Sequence, residues 1–362
     1  MKNNSYIRFL SSSRLASVLI LVLLSSCSPL FVLRASYEET KILLARQKIE
    51  QAVADQKTPA KEKEKLKLVL AAREFAKVIG LTPKDSFTLY SKVDRNPLAW
   101  VFMASQPDSF KLKTWWFPFV GSVPYKGYFS KATAIEAAKE AEMDGWETWI
   151  RGTDAFSTLG WFNDPILSTT LSRDKFSIVN TVIHEILHST LWVKNQVSFN
   201  ESLANFIGVY GMLDFFEEKY EHCSAKSVVC ATELKDLKVA QKIVVRETAL
   251  AKVVDEMYKR LSQLYSSTIS QEQKLNSRKL IFETLSKPLK IQYPELNFFE
   301  TANNAELMQL KIYLTNFDLF KKIHHTCSED WSCFLDKVRG AVDKSETNKT
   351  TAFAELEMFL EN

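Results

Sequence analysis

Two histidines four positions apart, in His184-Glu185-Ile186-Leu187-His188, are followed thirteen residues later by Glu201 within Phe199-Asn200-Glu201-Ser202-Leu203-Ala204. Residues four apart stand one above the other on a helix face, so His184 and His188 can present their imidazoles to one ion. Zn2+ suits that donor set, with Glu201 as the third protein ligand. A fourth position left to water or substrate distinguishes a catalytic from a structural site. Glu185 lies one step round the helix from His184, where its carboxylate reaches a metal-bound water without itself ligating. It would serve as general base and then acid, and the chemistry is hydrolysis of a polarised carbonyl.

With 5 His and 43 Asp plus Glu in 362 residues, a His-acid-x-x-His match arises by chance roughly 0.01 times per chain. The elements that must carry these groups are legible around them. Phe176 to Trp192 holds no Pro or Gly and is mostly apolar, as a buried helix requires; its β-branched residues alternate too poorly for a strand. A second helix is expected from Glu201 to Tyr220, with Asn200 as its N-cap. Glu201, Asn205 and Gly208 share one of its faces, and Gly208 and Gly211 permit close packing against a neighbour. Two core histidines beside a salt-bridged glutamate would also satisfy the first five residues. Glu201 points away from that reading, although a helix start favours glutamate in any case.

The first 26 residues carry Lys2, Arg8 and Arg14, no acid, and the apolar run Leu15 to Leu24. That is the layout of a secretion signal, and an apolar core of about ten residues is short of the roughly 20 that span a bilayer. Leu24-Ser25-Ser26-Cys27 resembles a bacterial lipobox, which implies acylation of Cys27 and stable anchoring in a membrane facing the periplasm. Ser28 leaves inner or outer membrane open. Removing the three cations lowers the formal charge from +4 to +1. No basic stripe interleaved with aromatics occurs, which argues against nucleic acid, and Lys61 to Lys67 alternates in sign like a solvated helix face.

Four further cysteines form two close pairs, Cys223 with Cys230 and Cys327 with Cys333. An even number fits an oxidising compartment, and two local disulfides are expected, although three pairings are possible. A second metal site is the alternative, since His222 adjoins Cys223 and His324-His325 precede Cys327.

The organisation reads as α+β and predominantly helical. Residues 1–26 form the signal and 27–82 a helical tether broken near Thr58-Pro59 and at Gly80. Residues 83–222 form the catalytic core and 223–362 a helical region broken at Pro288, Pro294 and the Cys327 to Cys333 loop. Within the core, Leu98 to Ala104, Trp115 to Val120 and Trp146 to Arg151 suggest strands, and Lys131 to Met143 a helix. A sheet edge ahead of the metal helix could pair with an extended peptide.

The chain resembles a family of bacterial lipoproteins described as predicted aminopeptidases, placed among zinc peptidases with two histidines and one glutamate. The likeness rests on Phe117 to Phe129, Phe156 to Pro165, the His184 to His188 box, Phe199 to Ser202, Asn303 to Leu307 and Tyr313. It implies a zincin-like core, His184, His188 and Glu201 as zinc ligands, Glu185 as catalytic carboxylate and a peptide as substrate. The Gly-x-Met-Glu-Asn signature of large aminopeptidases is absent, so exopeptidase and endopeptidase both stay open. Asp154, Asp164 or Glu306 could hold a substrate amine. Tyr125, Tyr128 and Tyr313 could donate to the oxyanion, and Ser157 and Thr158 could line the cleft. A non-catalytic envelope-binding lipoprotein with a structural metal, and a zinc amidase acting on peptidoglycan peptides, are the competing readings. Nothing in the sequence sets the oligomeric state.

Overall fold

The computed structural model describes residues 40–94, 96–117, 121–153, 165–223 and 228–361. After strand β1 (Arg46–Lys48), the long helix α1 (Ala60–Val78) leads into β2 (Leu89–Ser91) and β3 (Ala99–Ser105). Strands β4 (Trp115–Phe117), β5 (Gly121–Val123) and β6 (Lys126–Tyr128) precede helix α2 (Lys131–Met143), β7 (Glu147–Thr153) and β8 (Ile166–Leu167). Helices α3 (Lys175–Thr190), α4 (Val197–Glu221), α5 (Val228–Ser266), α6 (Gln271–Gln292) and α7 (Asn304–Leu314) follow. The series closes with α8 (Phe317–Thr326), α9 (Trp331–Asn348) and α10 (Ala352–Glu361). The protein is mostly helical with small sheets, as expected of its α+β pattern. No described helix is long and apolar enough to cross a membrane.

The antiparallel sheet β6-β3-β7 supplies one wall of the candidate site. Successive side chains on a strand point to opposite faces. Phe102 and Ala104 of β3 and Ile150 of β7 therefore pack on α2, with Ala138 and Ala141. Met103 and Trp149 face the other way, onto Ala305 and Ile312 of α7. Helix α3 begins where the Asp174 side chain accepts from the Ser177 N–H. Its apolar residues Ile178, Val179, Val182, Ile183, Ile186 and Leu187 are fully buried in the main core, which explains a helix with few polar positions.

Helices α3 and α4 approach closely at Gly208. A Cβ there would stand 2.8 Å from Asn180 Oδ1 and 3.3 Å from the Cβ of His184. Glycine is thus what lets the helices carrying His184 and Glu201 meet. Gly208→Ala is expected to cost about 1–3 kcal/mol by overpacking, with Asn180 and His184 among the displaced groups. A urea midpoint equal to that of the native chain would contradict this.

Helix α7 is fixed at both ends. At its start the Asn303 side chain accepts from the Ala305 and Glu306 N–H groups and donates to Thr148 O at 2.9 Å. Asn304 donates to Gln106 O at 2.9 Å and accepts from the Tyr265 hydroxyl. Buried Arg278 pairs with Glu147, whose carboxylate also accepts from Asn304 N–H at 2.9 Å. At the other end, Ser202 and Asn205 of α4 donate to the carbonyls of Ile312 and Tyr313. The Asn303 to Leu307 segment therefore positions Tyr313 against α4.

Two expectations are corrected. Helix α4 starts at Val197, four residues before Glu201, and Asn200 is not its cap. Asn200 is buried in the first turn and holds Val193 by both its N–H and its carbonyl at 2.8 Å, closing the short α3–α4 connection. Pro288 does not break α6. Phe282 and Leu289, buried on either side, keep the helix seated across the missing N–H. The cysteines pair locally, Cys223 with Cys230 and Cys327 with Cys333, at Cα separations of 5.4 and 5.6 Å.

Candidate metal centre

Helix α3 carries His184 and His188, and α4 crosses it so that Glu201 points between them. The Nε2 atoms of His184 and His188 lie 3.5 and 3.6 Å from Glu201 Oε2. All three donor atoms fall within 4.8 Å of one another. Ligands about 2.1 Å from a tetrahedral ion would stand about 3.4 Å apart. The three side chains thus fit a single metal ion with little movement. The two imidazole rings are 4.9 Å apart at an interplanar angle of 86°, so each offers an edge nitrogen rather than stacking on the other.

Burial works to raise the Glu201 carboxyl, and the two imidazoles overcome it, holding the group well below the usual carboxylate range. Burial works to lower His188, and Glu201 with Glu185 raises it overall. Glu185 Oε2 and His188 Nδ1 are buried without a hydrogen-bond partner. A carboxylate oxygen left unpaired in a dry site is costly unless an ion or substrate completes it. His184, His188 and Glu201 form the only group of three or more His, Cys, Asp or Glu side chains that could hold a metal ion among the described residues. The alternative site fails because Cys223 and Cys327 are tied in disulfides and His324 stacks on Trp331, with ring centroids 4.2 Å apart.

Two of the three sequence-predicted tyrosines reach this centre. The Tyr313 ring lies 6.2 Å from that of His184. Burial raises its phenol, and the Glu201 charge raises it further. Tyr125, in the turn before β6, is pushed up to about 12 by burial and then by Glu201. Both phenols therefore stay protonated donors at neutral pH. Tyr128 lies apart, packed with Phe102 on the α2 side of the sheet.

Sequence reasoning missed Arg151 and Trp192. Arg151 on β7 places Nη2 3.5 Å from the Tyr313 hydroxyl. Trp192, 38% exposed, sets its ring 5.4 Å from His188. Only the strand register carried a signal for Arg151, since it shares a face with Trp149.

Glu306 caps no substrate group here, because its Oε2 accepts from Phe299 N–H at 3.1 Å near the start of α7. Burial pushes its carboxyl up to about 7. An acid whose folded value exceeds its unfolded value of 4.5 stabilises the fold below that value. The contribution is lost as pH rises from there through about 7. Glu306→Gln should therefore flatten the fall in stability over that window. An unaltered pH profile of thermal unfolding would refute it. Asp154, Asp164, Ser157, Thr158 and Cys27 lie outside the described residues.

A family model described as "Putative aminopeptidase" matches residues 30–353. No curated protein and no solved structure matches the chain significantly.

Proposed function

We propose that this chain, which belongs to that aminopeptidase family, is a zinc-dependent peptidase of the cell envelope, lipid-anchored through Cys27. The observation that carries the reading is the His184, His188 and Glu201 group with the unpaired Glu185 carboxylate beside it. Zinc bound there would supply Lewis acidity, polarising the scissile carbonyl and easing deprotonation of a water.

The chain's own residues do the rest. His184, His188 and Glu201 would hold the ion as three protein ligands. Glu185 takes a proton from the attacking water as the carbon–oxygen bond forms, and returns it to the leaving amine as the carbon–nitrogen bond breaks. Tyr313 donates a hydrogen bond from its phenol to the developing oxyanion. Arg151 approaches its oxygen as a donor, which leaves the tyrosine's own hydrogen free to point at substrate. Tyr125, in the same cluster as Tyr313, stands as a second donor. The two disulfides accord with an oxidising compartment, and the anchor rests on the Leu24 to Cys27 segment.

The test is mass spectrometry of a peptide library incubated with the signal-less protein and zinc. Stepwise loss of N-terminal residues is expected. Internal cuts would remove the aminopeptidase assignment, and an uncleaved library would remove the peptidase reading. In the same assay Tyr313→Phe should slow cleavage by about 10²-fold, as loss of an oxyanion donor does. An undiminished rate would transfer the role to Tyr125.

A further inference from the structure

Arg151 is a half-buried cation beside the site. Among the described residues its Nε is buried without a partner, and the single hydrogen bond from its guanidinium, to the Tyr313 hydroxyl, is 3.5 Å long. Its Cζ lies 5.8 Å from the centre of the Tyr313 ring. No carboxylate among the described residues pairs with it.

Arg278, which is buried, behaves differently. Arg278 donates to Glu147, Pro107 O and Ala302 O, so its fork is satisfied on all sides. An arginine serving packing alone is expected to look like Arg278, because an unsatisfied buried guanidinium donor is costly.

The charges around the metal group point the same way. If a dication were held there, Glu185 and Glu201 would offset it, and among the described groups the Arg151 guanidinium would add one positive charge beside it. Such a positive charge attracts an anion. The guanidinium fork matches a carboxylate in two parallel hydrogen bonds.

We propose that Arg151 forms a subsite for a carboxylate of the bound peptide, beside the metal group on the β7 wall. The proposal rests on the peptidase reading above. The carboxylate is either the free C-terminus of a short peptide or an acidic side chain, and the same guanidinium would take both.

The test is calorimetric binding of three probes, trialanine, trialanine amide and Ala-Glu-Ala amide, to zinc-loaded Glu185→Gln protein, which holds substrate without turning it over. Each is repeated with Arg151→Met and Arg151→Lys added, and circular dichroism checks the fold. Trialanine or Ala-Glu-Ala amide should bind about 10- to 100-fold tighter than trialanine amide, the span of a charge-assisted pair. Arg151→Met should abolish that ratio and Arg151→Lys should restore part of it. Tight trialanine identifies the C-terminus as the ligand, and tight Ala-Glu-Ala amide the side chain. Equal binding of all three probes, or a ratio that survives Arg151→Met, overturns the subsite. A role confined to holding Tyr313 would weaken all probes alike and leave the ratio unchanged, which also overturns it. Failure of the native protein to cleave any peptide, with the ratio intact, would sink the peptidase reading and leave the subsite standing.

Discussion

Glu185→Gln should keep its metal and lose about 10²- to 10⁴-fold in kcat/KM, the usual worth of a placed general base. The carboxylate is one residue from His184 on α3, yet it is not among the atoms that converge on the metal position. Its Oε2 is buried and unpaired, so the amide of glutamine fits the same space but cannot accept a proton. Metal content by mass spectrometry, beside steady-state rates, separates the two effects. Loss of the ion would make Glu185 a ligand, and unchanged turnover would remove it from the chemistry.

Glu201→Ala should do the reverse and strip the ion. Its Oε2 sits 3.5 and 3.6 Å from the two imidazoles and supplies the only carboxylate in the donor set. Loss of an outer partner of a metal ligand already weakens binding by about 10- to 100-fold, so removal of a ligand should exceed that. Two imidazoles four residues apart on α3 would remain, which is too few to hold zinc with one open position. Competition with a chromophoric chelator measures the loss, and near-native affinity would place the third ligand elsewhere.

The helix carrying His184 and His188 was legible because everything it needs is local. A run without Pro or Gly, apolar on nearly all sides, with histidines at a spacing of four, specifies both the helix and the pair of ligands. Gly208 was legible for a similar reason, since it shares a helix face with Glu201. Lys131 to Met143 matched its helix at both ends, and the cysteine spacings marked two local disulfides.

What the sequence concealed depends on tertiary contacts. Asn200 has the chemistry of an N-cap, but its side chain closes onto Val193, and α4 starts one turn earlier. Tyr125 and Tyr128 are three apart in extended chain, so they must face opposite ways. Only the position of α7 decides which of them meets the metal group. Arg151 has no spacing pattern of its own. Its face is set by pairing with Val101 of β3, two positions along from the Trp149–Met103 pair.

The most direct measurement is zinc content and peptide hydrolysis on one preparation of the signal-less protein, before chelation, after chelation and after reloading. One zinc per chain is predicted, with hydrolysis lost on chelation and regained in proportion to the zinc restored. Hydrolysis that persists in the stripped protein, or a fully loaded protein that cleaves no peptide, would contradict the central claim.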